Sequence, residues 1–345
     1  AQKPNNRKPG TMLYPFKLDV ARGRVLRIEM DVAAFRAASF LDERILTPQT
    51  KGGWVSLQTL LDSDPVPQQP VPPLHFIFHT GHVGSTLVSR LLDETGRVLP
   101  LREPLPLRTL AVVQDALDAP AAPPLGRAQF AALVALFVRL WRESDPSAGA
   151  VIIKSTSSAA RLAPALCAAA PDARAIYLNV GAEPYLATLL AGENSSIDLR
   201  GHAPERLRRL AAKLKLPPAA PETLSPGELT ALSWLAETVT QREVLGDLAG
   251  RVLPIDFDGF LANVRGQLGA ILRHFDLLAD ADTVDRIARS RVLTRYSKAP
   301  EQPYDPALRT AVLDDARRHH GDEIAKGLRL LKRLWPGVTA STTSA

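Results

Sequence analysis

The stretch LHFIFHTGHVGSTLVSRLLDE, from Leu74 to Glu94, limits the folds open to this chain more than any other. Its apolar run through Phe76, Ile77 and Phe78 has the character of a strand buried on both faces. Ser85 then opens an amphipathic helix, so the chain must turn between His79 and Gly84. Gly81 and Gly84 supply the backbone freedom for that turn. The amides of residues 82 to 86, His82 and Val83 among them, are then expected to face inward beside the positive end of the helix. Ser85 and Thr86 add hydroxyls, and the whole suits an anion. A nucleoside-triphosphate loop would read G-x-x-x-x-G-K-[ST]. Here the glycines are closer together and Ser85 stands where the lysine would be, so an ordinary ATPase or GTPase is not expected.

The same alternation continues downstream. RVLPLREP, AVIIKS, ARAIYLNV and RVLPIDF read as strands. Helices are expected at 105–117, 127–143, 157–170, from 183, at 203–215, 226–248 and 257–275, then at about 305–319 and 321–335. Apolar strands alternating with helices imply an α/β fold, a P-loop-type parallel sheet covered by helices on both faces. Ligands in such folds bind at the carboxyl ends of the strands. The segment ENSSIDLRGH, residues 193–202, has few apolar side chains and is expected to form a mobile lid.

Upstream lies a small α+β appendage, residues 13–61. YPFKLDV and RVLRIEM pair around Ala21-Arg22-Gly23, Asp31 caps a helix through VAAFRAASFLDERI, and GGWVSLQTLL closes the unit. The proline-rich segment 62–73 reads as a semi-rigid linker to a main domain at 74–335. Residues 1–12 and 336–345 read as a disordered lead-in and tail. The lead-in is polar and basic, unlike a signal peptide, and no apolar run is long enough to span a bilayer. The single cysteine, Cys167, excludes an internal disulfide and a zinc–cysteine cluster. A cytoplasmic protein with no membrane contact is the expectation. The net charge of +6 suits anion handling, but aromatics are only 6% and no basic block interleaves with them, so nucleic acid is not the expected partner.

FIFHTGHVGSTLVSRLL resembles the loop of sulfotransferases, whose usual pattern is P-R/K-S-G-T-T followed by a leucine-rich helix. Other pieces follow in family order: LREP at 101–104, AVIIKS at 150–155, AIYLNVGAEPYLATLL at 175–190, RVLPIDFDGFLANVRGQLGAILRHFDL at 251–277 and LTRYSKAPEQPY at 293–304. The resemblance covers roughly residues 74–310. It implies transfer of a sulfuryl group from 3′-phosphoadenosine 5′-phosphosulfate, the co-substrate, to a hydroxyl or amine. The acceptor would be a small molecule, a glycan or a peptide. On this likeness the loop from Gly81 to Thr86 holds the donor and Glu103 takes the acceptor proton. Lys154 neutralises charge, while Arg102 guides donor or acceptor.

Departures from the pattern are specific. His82 stands where Arg or Lys is usual and would aid the leaving group only when protonated. His79 reads as structural, and the H-x-x-H that it forms with His82 lacks a third ligand, so no metal is expected. The arginine expected to grip the 3′-phosphate is replaced by Ala182, and the helix serine by Leu190. Thr188, Arg295 and Lys298 are the candidates to take over. Two alternatives stay open: a kinase or other nucleotide-dependent transferase on the same fold, and a non-catalytic protein that keeps the loop as a binding element.

Overall fold

In the computed structural model, the described residues are 11–63, 71–118, 123, 125–192, 195–217, 219–304 and 306–336. Most of the proposed lead-in, of the linker and of the tail lie outside them, and Met12, at the end of that lead-in, already belongs to a strand. The chain opens with β1 (Met12–Asp19), β2 (Arg24–Met30), α1 (Val32–Ala37), β3 (Gly52–Ser56) and α2 (Leu57–Leu61). The main sheet and its helices begin with β4 (Leu74–His79), α3 (Ser85–Asp93), β5 (Val98–Arg102), α4 (Pro106–Leu117) and α5 (Arg127–Arg142). Then come β6 (Ala150–Lys154), α6 (Ala163–Ala169), β7 (Ala175–Asn179), α7 (Ala182–Ala191), α8 (Ser195–Leu214) and α9 (Pro226–Asp247). The chain closes with β8 (Val252–Asp256), α10 (Phe257–Ala262), α11 (Val264–His274), α12 (Ala281–Ile287), β9 (Arg295–Tyr296), β10 (Ala299–Pro303) and α13 (Pro306–Leu334).

Five parallel strands form the main sheet in the order β5-β6-β4-β7-β8. Alternate residues face opposite sides, and the core divides accordingly. Phe76, Phe78, Leu99, Leu101, Val151, Ile153 and Tyr177 pack into one cluster with α4, α5 and the N-terminal sheet. Ile77, Val98, Ile152, Ile176, Leu178 and Ile255 pack into the other with α3, α7, α8, α9 and α11. This is the expected α/β architecture with both sheet faces covered. The N-terminal strands form an antiparallel sheet in the order β1-β2-β3. Its Tyr14, Phe16, Val25 and Ile28 share the first cluster with Phe137 and Trp141 of α5. Among the described residues, no helix is long and apolar enough to cross a membrane.

Several elements differ from their sequence reading. Asp31 caps α1 as expected, its Oδ1 accepting from the Ala34 amide at 2.8 Å, but the helix stops at Ala37 instead of running on to Ile45. The Arg102 guanidinium binds the carbonyls of Phe35, Arg36 and Ala38 at 3.4, 3.0 and 2.9 Å, and Ala38 is extended. A side chain thus takes the carbonyls on which the next turn would build. Residues 195–202, expected in a lid, are the first turns of α8; residues 193–194 lie outside the described residues. The helix expected from residue 203 begins at Ser195, so Pro204 sits inside α8. The helix expected over 257–275 divides at Asn263, whose side chain accepts from the Gly266 amide and caps α11. The two closing helices do follow their sequence reading: α13 is broken at His320, whose φ −123° and ψ 17° are non-helical.

Candidate functional site

The carboxyl ends of β4, β5 and β6 meet in a cavity of about 320 Å³, within the size range of small-molecule sites. Its floor is the turn that joins β4 to α3. Gly81, His82 and Gly84 all have left-handed backbones, at φ 94°, 54° and 66°. Gly84 has a second reason to lack a side chain: a Cβ there would lie 2.0 Å from Phe257 Cε2. His82, Val83, Gly84, Ser85 and Thr86 all line the cavity. The Thr86 hydroxyl is buried and has no hydrogen-bond partner among the described residues. The opening amides of α3 lack intrahelical acceptors, as at any helix start.

Gly81 lies outside the cavity lining. Its amide donates to His79 Nδ1 at 3.0 Å, while His79 Nε2–H donates to the Ser155 carbonyl at 2.8 Å. Burial, then Lys154, holds the His79 imidazole well below its usual range, so it is a neutral brace for the turn. Behind Gly81, Ser157 accepts from Arg206 Nη2 at 3.5 Å. Arg206 and Arg209 share Glu237 Oε1 at 3.1 and 3.0 Å, and Glu237 is fully buried. This charge cluster ties α8 and α9 to the back of the turn.

On the opposite wall Glu103 follows β5 with a left-handed backbone, φ 54°, and its amide donates to the Lys154 carbonyl at 2.6 Å. Lys154 Nζ donates to Glu103 Oε1 at 2.5 Å, and Arg108 Nη2 lies 3.6 Å from Oε2. Lys154 is 1% exposed. Burial pulls its ammonium below the usual range, and the Glu103 carboxylate opposes that shift. Arg102, expected to guide donor or acceptor, does neither. It is fully buried, bound to Asp93 Oδ2 at 3.2 Å and Ser89 Oγ at 3.0 Å, as well as to the α1 carbonyls.

The third wall comes from the late elements. Thr188, Arg295 and Lys298 line the cavity. Thr188 Oγ1 donates to the Pro184 carbonyl at 2.7 Å. The Arg295–Lys298 turn is pinned to α3, with Arg90 Nε donating to the Ser297 carbonyl at 2.8 Å. Phe40, from the N-terminal unit, lies 5.9 Å from both Lys154 Nζ and Lys298 Nζ. Ala182 brings no charge of its own, and Arg317 beside it is held by the neighbouring Glu183 at 2.8 and 2.9 Å.

Sequence reasoning missed three groups at this site. Phe257 covers Gly84, Arg309 on α13 lines the cavity, and Asp198 on α8 stands 3.9 Å from His82 Nε2. Arg309 is itself paired with Asp258 at 2.6 Å. Only Asp198 left a local signal, its i,i+4 spacing to His202, which it meets at 3.4 Å. Burial lowers the His82 pKa, and Asp198 works against that shift. His82 is therefore neutral near pH 7 without a bound anion, contrary to a standing positive charge at this position.

No protein-family model and no curated protein matches the chain. Among solved structures it is similar to the sulfotransferase domain from the curacin biosynthetic pathway, at 14% identity over 77% of this chain and 98% of that one, with a TM-score of 0.41. It is similar to the sulfotransferase STF9 from Mycobacterium avium, at 13% identity over 76% and 78% of the two chains, TM-score 0.40. It is also similar to the sulfotransferase domain of the Synechococcus PCC 7002 olefin synthase, at 16% identity over 74% and 90%, TM-score 0.39. All three are sulfotransferases, the group whose motifs the sequence resembles.

Proposed function

We propose that the cavity binds the phosphosulfate end of 3′-phosphoadenosine 5′-phosphosulfate and that the protein transfers its sulfuryl group to a hydroxyl or amine. The buried, unpartnered Thr86 hydroxyl carries this reading: it lines an anion-suited turn whose opposite wall is a buried lysine. Leaving such a hydroxyl unsatisfied costs about 1–3 kcal/mol, which an anionic oxygen would recover. Helix start, hydroxyls and Lys154 together favour negative charge on the donor and on the leaving phosphate. Arg295, Lys298 and Arg309 surround the same space and offer cations to a second phosphate in place of the residue lost at Ala182. Two groups there can accept the acceptor's proton, the Glu103 carboxylate and the His82 imidazole. The loop lacks the lysine of nucleoside-triphosphate sites, and the order of motifs along the chain is that of sulfotransferases.

Calorimetry with 3′,5′-ADP and 5′-AMP tests the reading. Selective binding of 3′,5′-ADP is expected, and Thr86→Val should weaken it about tenfold. Equal binding of both nucleotides, or binding of neither, would overturn the assignment of this donor. Stabilisation by ATP with magnesium instead would favour a kinase-like transferase.

A further inference from the structure

We infer that His82 is the proton acceptor of the transfer and that Asp198 is the residue that positions it. This rests on the proposed reaction but assigns the base to a pair of residues on the loop and α8, not to Glu103. In the step itself, the acceptor oxygen or nitrogen forms a bond to sulfur and the bond from sulfur to the bridging oxygen breaks. That electron pair leaves on the nucleotide phosphate. The acceptor's proton passes to His82 Nδ1.

The other two candidate bases in the cavity are occupied. Both oxygens of Glu103 face cations, Lys154 at 2.5 Å and Arg108 at 3.6 Å. A proton arriving there would have to displace an ammonium. Both nitrogens of His79 are engaged, with Ser155 and Gly81. His82 has Nε2 toward Asp198 Oδ2 at 3.9 Å, and Nδ1 has no hydrogen-bond partner among the described residues. Contacts of this kind are often long before substrate binds and tighten in the complex. A carboxylate facing Nε2 selects the tautomer with the proton on Nε2 and leaves Nδ1 as a lone pair. It also stabilises the imidazolium that forms.

The surroundings fix this pair in place. His82 is held in a left-handed backbone conformation, a strained state for a non-glycine residue that tends to occur at functional positions. The Tyr185 ring meets the imidazole edge-on, with centroids 6.4 Å apart. The second oxygen of Asp198 faces His202 Nε2 at 3.4 Å, one helical turn along α8. His202 then Asp198's partner His82 hold that carboxyl well below the usual carboxylate range, so it stays ionised. The charged and titratable groups facing His82 include Asp198, Lys298, Arg206, Tyr185 and His79. Burial outweighs Asp198 in setting the His82 pKa, so the base is already deprotonated at neutral pH.

The test uses the full chain, with 3′-phosphoadenosine 5′-phosphosulfate as donor and 2-naphthol as probe acceptor. Asp198→Asn should lower kcat about a hundredfold or more. It should leave 3′,5′-ADP affinity within about threefold, because Asp198 carries no donor contact in this scheme. The ascending limb of kcat/KM against pH should move to lower pH, since loss of the carboxylate removes what favours the imidazolium. Glu103→Gln, which weakens the Lys154 ion pair, should lower kcat but leave the ascending limb of the pH profile in place. Abolished transfer in Glu103→Gln, with rate and pH midpoint unchanged in Asp198→Asn, would overturn the inference. Should Asp198→Asn fail to fold, nitrogen NMR of His82 in the unaltered protein decides: an Nε2-protonated tautomer is expected, and an Nδ1-protonated one refutes the pairing. Lack of 3′,5′-ADP binding would sink the donor assignment alone, and the tautomer would still decide the pair.

Discussion

Gly84 is the residue whose replacement should do most damage for the fewest added atoms. Alanine there would adopt φ 66°, a conformation costing about 1–2 kcal/mol for a residue with a Cβ. It would also drive that Cβ into the Phe257 ring. Gly84→Ala should therefore lose at least about 2 kcal/mol in urea denaturation and abolish nucleotide binding. Gly23→Ala, also at positive φ but with no atom within 4 Å of the added Cβ, should lose about 1 kcal/mol and keep binding. Equal losses at the two sites would show that Phe257 yields. At this scale the loop was legible because glycines and hydroxyls must stand at fixed offsets to cradle an anion. Asp198 and Arg309 were not, since they come from helices far along the chain and only packing brings them to His82 and Gly84.

Among the elements, β5 and α1 depend on one buried side chain. Arg102 joins Asp93 and Ser89 of α3 to three carbonyls at the end of α1. Burial pulls its pKa down to about 10, so it remains charged at neutral pH. Arg102→Leu would leave those carbonyls without a donor and Asp93 with Arg36 as its cation, at 3.1 Å. Stability should fall by about 3–5 kcal/mol, read from the urea midpoint, and a loss below about 1 kcal/mol would refute this role. The sequence placed Arg102 beside Glu103 and so suggested a site residue. Arg102 ends β5 and turns into the core, whereas Glu103, just past the strand in a left-handed conformation, turns toward the cavity. The length of α1 was hidden for the same reason: its stop signal lies some sixty residues downstream, beyond the reach of a local pattern.

For the whole molecule, the parallel sheet was legible because apolar strands and helices alternate, while the division of strand residues between its two faces is seen only in the packing. That the N-terminal sheet would enter the same core was not, since its strands read as a self-contained hairpin unit. Global stability should depend on pH through His75, which is 3% exposed and stacked on Phe275 with centroids 4.9 Å apart. Burial lowers its pKa from 6.5 to about 4. Below the unfolded-state value the unfolded chain binds the proton more tightly than the fold does. Stability is thus fully present above pH 6.5 and lost as pH falls through 6.5 toward about 4, by on the order of 3 kcal/mol. His75→Gln should make that part of the urea-midpoint profile shallower, the rest of the slope coming from buried His79; an unchanged slope would rule His75 out.

Among the described residues, four non-glycine residues have left-handed backbones, His82, Glu103, Lys215 and Asp276, and two of these line the cavity. Glycine at any of them relieves up to about 1 kcal/mol of backbone strain. A variant library sorted only for heat resistance should accept glycine at His82, Lys215 and Asp276, but not at Glu103, whose loss would leave the buried Lys154 ammonium unpaired. The same library sorted for turnover should accept it at Lys215 and Asp276 and reject it at His82. Comparing the two selections would separate the strain kept for chemistry from the strain that is incidental to the fold.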